Sequence, residues 1–165
     1  GMRMRHDRPP PVDTPVEISL PAPPGVEKPG RVDFYRRSGG GWSRLDTTLE
    51  QGRFTARTRD LGTFALFEDD DAPVLRKLSP PAGYAARTRR PKLSARVADA
   101  ASGIDDWSIS CNGQWLLVAY DPERETIAWE RDEDLPPGPC ELVYRVTDGA
   151  GNETAVKRSI TVPAQ

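Results

Sequence analysis

Carboxylates, rather than histidines or thiols, are the groups through which this chain could do bond chemistry. It has 25 Asp and Glu against a single histidine and two cysteines. His6 stands in a Pro- and Arg-rich N-terminal stretch without periodicity, so Ser–His–Asp and Cys–His arrangements have no imidazole held by packing. Cys111 and Cys140 are too few for a Cys-only zinc site, and His-based zinc sites are excluded as well. The phosphate and metalloprotease signatures GxGxxG, GxxxxGK[ST] and HExxH do not occur. What remains is a carboxylate-pair hydrolase, with Glu123 and Glu125 or the Asp132–Asp134 cluster as its groups. Both sets lie in segments, Asp121-Pro-Glu-Arg-Glu and Arg131-Asp-Glu-Asp, whose residues also make solvated turns. The sequence therefore reads as no enzyme and as needing no cofactor.

The elements that must position any site are strands. Short apolar-alternating runs are separated by Gly/Pro/Asp clusters every 8–12 residues, the pattern of a sandwich or barrel. Seventeen prolines argue against long helices, because Pro removes a helical hydrogen bond and clashes with the preceding turn. Four acidic residues, Glu68 to Asp71, followed by Ala72-Pro73 read as a self-repelling, extended linker over 69–73. Before it lies a partial β-sandwich unit over 14–68, after it an Ig-like β-sandwich over 74–163. Residues 1–13 read as a disordered tail or a tag-cleavage remnant, and Gly1 to Pro11 has no apolar core of a signal peptide. The expected fold class is all-β: two small β-sandwich units, the second an Ig-like sandwich of about seven strands.

Those seven strands are expected at Val74–Leu78, Leu93–Ala98, Trp107–Asn112, Gln114–Tyr120, Thr126–Arg131, Cys140–Thr147 and Thr154–Val162. Asn112-Gly113 marks a two-residue hairpin. A period of two turns inward Leu93, Ala95 and Val97, Trp107, Ile109 and Cys111, Ile127 and Trp129. It does the same for Cys140, Leu142, Tyr144 and Val146, and for Val156, Ile160 and Val162. In the first unit strands are expected at Val16–Leu20, Arg31–Arg37, Trp42–Leu45, Phe54–Arg59 and Thr63–Phe67, with Gly39-Gly40-Gly41 as a hairpin tip.

Charge narrows the partners. The 23 basic and 25 acidic residues leave a net charge of −2, split 11 to 12 up to and including Asp71 and 12 to 13 beyond it. Neither half carries the basic footprint of a nucleic-acid binder. The longest apolar run, Trp115 to Tyr120, is far below the roughly 20 residues of a membrane helix.

Three groups of residues remain as candidates on this frame. Trp42, Trp115 and Tyr120 fall on positions expected to be exposed and could stack on sugar rings, with cross-strand packing as the alternative. Cys111 and Cys140 face inward. A register that sets them opposite each other, with Ile109 opposite Leu142, brings them within reach of a disulfide. Directly paired strands often give poor bridge geometry, so two buried free thiols are the favoured reading and the bridge the alternative. Asp99, Asp105, Asp106, Asp148, Asn152 and Glu153 lie in two connections that leave an Ig-like sandwich at one end. They offer oxygens of the kind calcium takes, with capping of their own Gly-rich turns as the alternative and no metal favoured.

Turn signatures carry a resemblance. Asp71-Ala-Pro-Val-Leu75, Ser79-Pro-Pro-Ala-Gly83, Ala95-Arg-Val-Ala-Asp-Ala-Ala-Ser-Gly-Ile-Asp105, Asn112-Gly113 and Val146-Thr-Asp-Gly-Ala-Gly-Asn152 resemble bacterial Ig-like modules over about 90 residues. Val32-Asp-Phe-Tyr35, Gly41-Trp-Ser-Arg-Leu45, Phe54-Thr-Ala-Arg-Thr58 and Leu61-Gly-Thr-Phe-Ala-Leu66 resemble the C-terminal half of sandwich modules related to the ZU5 and GAIN families. The resemblance implies a C-terminal extension of a larger bacterial protein, periplasmic, surface-bound or secreted, of which lysostaphin-type peptidases are one host. The function it implies is a non-catalytic structural spacer or binding extension; a glycan- or peptidoglycan-binding module is the alternative. The partners it implies are another domain of the parent protein, another chain or a cell-wall glycan.

Overall fold

The structure is a computed structural model that describes residues 12–39 and 41–164. The chain separates into two compact units, Gly1–Asp70 and Asp71–Gln165.

In the first unit six strands form two three-stranded antiparallel sheets. They are β1 (Val16–Pro21), β2 (Val32–Ser38), β3 (Gly41–Leu45), β4 (Thr47–Glu50), β5 (Arg53–Thr58) and β6 (Phe64–Glu68), in the orders β1-β5-β4 and β3-β2-β6. Val32, Phe34, Phe54 and Ala56 are the buried centre, with Ile18, Leu45, Phe64 and Leu66 packed around them. Strand β4 is absent from the five expected, because Thr47-Thr-Leu-Glu50 holds one apolar residue and shows no alternation. Polar bonds hold it instead. Thr47 Oγ1 accepts from Phe34 N at 2.8 Å and donates to Leu45 O at 2.8 Å, and Thr48 Oγ1 meets Thr55 Oγ1 at 2.8 Å.

Two boundary expectations change in this unit. Val12 N–H donates to Arg59 O at 2.8 Å, so the chain is already tied to the fold before residue 13; residues 1–11, with His6, lie outside the described residues. Asp70 is not part of a self-repelling linker. Its carboxylate takes Arg31 at 2.8 Å and Lys28 at 3.2 Å, cations that cancel the repulsion expected from the acidic run. These neighbours hold the Asp70 carboxyl below the usual carboxylate range. At the expected glycine tip Ser38 pairs with Gly41, while Gly40 lies outside the described residues.

Nine strands build the second unit: β7 (Val74–Ser79), β8 (Tyr84–Ala85), β9 (Ser94–Ala98), β10 (Ile104–Cys111), β11 (Gln114–Leu116), β12 (Val118–Asp121), β13 (Thr126–Trp129), β14 (Gly138–Asp148) and β15 (Glu153–Val162). One sheet runs β12-β13-β9-β7 and the other β11-β10-β14-β15-β8. The first two long strands, β7 and β9, share a sheet with β13, whereas β10 pairs with β14 and β14 with β15 in the other. That crossing of connections between sheets is the Ig-like arrangement, here with β8 added in parallel beside β15.

Leu93, Ala95, Val97, Ile109, Cys111, Ile127, Trp129, Cys140, Leu142, Tyr144, Val146, Ile160 and Val162 are buried as their alternation requires, and Trp107 and Val156 are half-buried. Leu116 and Leu135 join this core. The expected strand over 114–120 is in fact two. The chain leaves one sheet after Leu116, exposes Leu117 and enters the other at Val118, a change of sheet that an unbroken apolar run conceals.

Tyr144 is fully buried, and its hydroxyl donates to Ser79 O at 2.7 Å. Burial pushes its phenol far above the ordinary tyrosine range. Tyr144→Phe leaves that carbonyl without its donor and is expected to cost about 1–3 kcal/mol, read from the urea midpoint at unchanged slope.

Candidate functional site

At one end of the Ig-like unit the loop after β9 meets the loop after β14. Asp148 closes β14 and is 1% exposed. Its Oδ1 accepts from the N–H groups of Ala150 at 2.9 Å and Asn152 at 2.8 Å, and its Oδ2 from Asn152 Nδ2 at 2.9 Å. Asp99 Oδ2 likewise accepts from Ala101 N at 2.9 Å and Gly103 N at 2.7 Å. Gly149 N–H donates to Gly103 O at 3.0 Å and Ala150 N–H to Ser102 Oγ at 3.2 Å, so the two loops are fastened together. The sequence folds this way because short Asp side chains satisfy turn amides that the strands leave free, and Gly103 and Gly151 take positive φ.

Of the six oxygen donors considered from the sequence, the structure gathers Asp99, Asp148 and Asn152. Carboxylate oxygens of Asp99 and Asp148 lie within 4.8 Å of each other. Asp105 is exposed at a bulge in β10, Asp106 Oδ1 accepts from Trp107 N at 2.9 Å, and Glu153 pairs with Arg145 at 2.8 Å. The pull toward strand β10 and toward Arg145 separates these three from the set. Calcium at 1 mM, or EDTA, is expected to leave the melting curve unchanged. A calcium-dependent rise that Asp148→Ala removes contradicts this reading.

The cysteines are joined rather than free as expected: Cys111 and Cys140 form a disulfide with Cα atoms 5.6 Å apart. Their register differs from expectation. Cys111 stands opposite Leu142 and Ile109 opposite Tyr144, two residues along from the pairing that would set the cysteines face to face. A slip of two preserves the face of every side chain, so both sulfurs still point inward and meet diagonally. Asn112 follows at φ 51° with Gly113 at φ 82°, the two-residue hairpin turn expected between β10 and β11, and it also holds on to β14. Its N–H donates to Glu141 O at 2.9 Å, its Oδ1 accepts from Glu141 N at 2.8 Å, and its Nδ2 donates to Pro139 O at 3.0 Å.

Two of the three aromatic candidates are exposed. Trp115, on the edge strand β11, is 59% exposed, and Trp42 on β3 is 42% exposed. Tyr120 is not. It is half-buried against Trp107 at 4.9 Å between ring centroids, because it stands five positions from Trp115 and so falls on the inward face with Leu116 and Val118. Phe67 was missed and belongs with Trp42: the rings meet edge-on at 4.9 Å, and Phe67 reaches Tyr35 at 5.4 Å. Its signal was present, since Phe64 and Leu66 facing inward leave Phe67 outward.

Of the carboxylates considered for hydrolysis, Asp132 and Asp134 are engaged in structure, while Glu123 and Glu125 are exposed on their turn. Asp132 Oδ1 accepts from Trp129 Nε1 at 3.0 Å, Asp121 Oδ1 accepts from Arg124 N at 3.0 Å, and Val97 N–H donates to the backbone oxygen of Glu125 at 2.8 Å. Asp134 pairs with Arg90 at 2.7 Å and Arg89 at 3.6 Å. The Arg90 hydrogen bond holds its carboxyl below the usual range, opposite to what a general acid needs. A depressed folded-state pKa stabilises the fold above the ordinary carboxylate value, and that contribution is lost as pH falls through the depressed value. The Asp134 titration, followed by carbon-detected NMR, is expected to begin only at low pH, and Arg90→Ala should return it upward to the ordinary range.

An open recess of about 450 Å³ lies along β1, β4 and β5, with Glu17, Asp46, Glu50 and Arg57 along it; Glu17 and Arg57 pair at 3.4 Å.

No family model and no curated protein matches the chain. Solved structures do align with it at low identity. The fibronectin(III)-like modules of Clostridium thermocellum CbhA are 14% identical, with 92% of this chain and 87% of that one covered and a TM-score of 0.46. A chimeric titin Z1Z2 tandem is 13% identical, with 92% of each chain covered and a TM-score of 0.41. An expansin of Clavibacter michiganensis is 13% identical, with 90% and 78% covered and a TM-score of 0.36.

Proposed function

We propose that this chain is a non-catalytic pair of β-sandwich units that serves as a structural spacer or binding extension of a bacterial cell-envelope or secreted protein. One observation carries the reading: at the loop end of the Ig-like unit, Asp99 and Asp148 are bonded to the backbone of their own turns. Carboxylates so engaged fix the shape of their turns, the work of a structural module. The Cys111–Cys140 bond supports an oxidising compartment, as the envelope or the outside of the cell provides. The parent's other domains, of the kind seen in lysostaphin-type peptidases, belong to the same proposal, as do the ZU5- and GAIN-like character of the first unit and docking on another domain or chain. A panel of peptide, ester and glycoside substrates tests it. Turnover that disappears with a single carboxylate variant overturns the reading.

The exposure of Trp115 and Trp42 favours a second reading, a glycan- or peptidoglycan-binding module. Sedimentation with insoluble peptidoglycan decides it: retention that falls at least about tenfold in Trp115→Ala or Trp42→Ala supports sugar stacking. No retention of the unaltered protein removes it.

A further inference from the structure

The outward face of the sheet β12-β13-β9-β7 carries a charge arrangement that the stability of the sandwich does not explain. Strands β7 and β9 pair so that Arg76 lies directly opposite Arg96. Their neighbours Leu75 and Val97 turn to the core, which leaves both guanidinium groups on the solvent side, and both residues are exposed. Opposed residues of an antiparallel pair have Cα atoms roughly 4.5–5.5 Å apart, so two like charges there repel. Arginine cannot relieve the repulsion by losing its proton. Nor is it relieved by neighbours. The ion pairs among the described residues of this unit join Arg89 and Arg90 to Asp134, Arg124 to Asp121, Arg145 to Glu153 and Lys157 to Glu141, and none engages Arg76 or Arg96.

A second feature lies one residue along. The ladder slips after Arg76 and resumes at Ser79 opposite Ser94, and Lys77 in the slip is exposed at φ 49°. A lysine rarely adopts positive φ, and bulges of this kind re-aim side chains and gather at binding sites. The slip thus adds a third cation beside the arginine pair. Across the sheet Thr126 faces Arg96, and beyond it Asp121 directs its carboxylate to Arg124. The nearby outward positions Ala98, Ala119 and Ala128 are small and leave the cations open to a ligand.

We propose that Arg76 and Arg96, with Lys77 beside them, bind a tetrahedral oxyanion: a phosphate or sulfate ester carried on a polysaccharide. Two guanidinium forks side by side can each take two oxygens of one such group, which neutralises their mutual repulsion as it binds. Three exposed cations hold a single ion weakly, so a polymer with repeated esters is the fitting form. The charges of that polymer must be sparse. A net charge of −2 repels a dense polyanion such as duplex DNA over the rest of the surface. The proposal goes beyond both readings of function above and stands whether or not Trp115 and Trp42 bind sugar.

One polymer backbone with different anions tests it. The full chain is passed over immobilised dextran that is sulfated, phosphorylated, carboxymethylated or unmodified, at about 25 mM salt, where screening is weak. Retention on the sulfated or the phosphorylated form, with little on the other two, is expected, and which of them binds identifies the ester. Arg76→Ala/Arg96→Ala should weaken retention about tenfold without lowering the melting temperature, and Arg76→Lys/Arg96→Lys, which keeps charge but loses the fork, about threefold. Lys157→Ala, on the opposite sheet, should change it less than about twofold. No retention, equal retention on carboxymethyl-dextran, equal loss in Lys157→Ala, or stronger retention on a duplex oligonucleotide than on either ester overturns the proposal. If the alanine pair lowers the melting temperature, the lysine pair decides.

Discussion

Opening the Cys111–Cys140 bond, by reduction or by the double substitution Cys111→Ala/Cys140→Ala, lowers the melting temperature of the Ig-like unit by about 15 °C. The bond closes a stretch of sequence separation 29 between β10 and β14. Chain-entropy reasoning assigns a loop of that size about 3.5 kcal/mol, which for a unit of this size is a shift of that order. The effect should be confined to the second unit, because the first has no cysteine. Calorimetry with and without reductant reads it directly. A shift under about 3 °C would show that β10 and β14 are held closed without the bond, through Asn112 and the rest of the ladder.

The other large effect is expected at Asp148. Replacing it by alanine removes three hydrogen bonds from a carboxylate that is almost wholly buried and leaves the amides of Ala150 and Asn152 without that acceptor. Each buried group left unpaired costs about 1–3 kcal/mol, so the variant should lose about 3 kcal/mol in urea unfolding. Asp148→Asn keeps one acceptor oxygen and should lose about half of that. Hydrogen exchange separates this from a general loss of packing: the amides of Ala150 and Asn152 should exchange fastest, while Leu142 and Tyr144 in mid-strand stay protected. Asp99→Ala, at a less buried turn, should cost about 1 kcal/mol. Equal effects at both aspartates would mean that burial of Asp148 does not matter.

How far the candidate site could be read from the sequence varies residue by residue. Asp99, Asp148 and Asn152 were visible as turn-forming residues, and the strand order of an Ig-like sandwich was enough to bring their loops to one end. Asp105, Asp106 and Glu153 are near them in sequence but not in function, because the bulge in β10 and the Arg145 side chain set their directions. The arginine pair gave no signal at all. Arg76 and Arg96 are 20 positions apart and unremarkable one by one; only the β7–β9 register sets them face to face.

What the sequence by itself determined is the set of faces. Alternation in Leu93–Val97, Ile109–Cys111 and Cys140–Val146 fixes which side chains enter the core, since a strand offers only two faces and burial selects the apolar one. For the same reason both cysteines were bound to point inward whatever their partners. The tertiary structure decided register and sheet membership. A slip of two residues leaves every face unchanged, so the pattern could not tell Cys111 opposite Cys140 from Cys111 opposite Leu142. The unbroken run Trp115 to Tyr120 could not show that the chain changes sheets at Leu117, passing from its place beside β10 to one beside β13. Strand β4, with one apolar residue, exists because β5 lies beside it to receive its hydrogen bonds, a condition no local pattern contains.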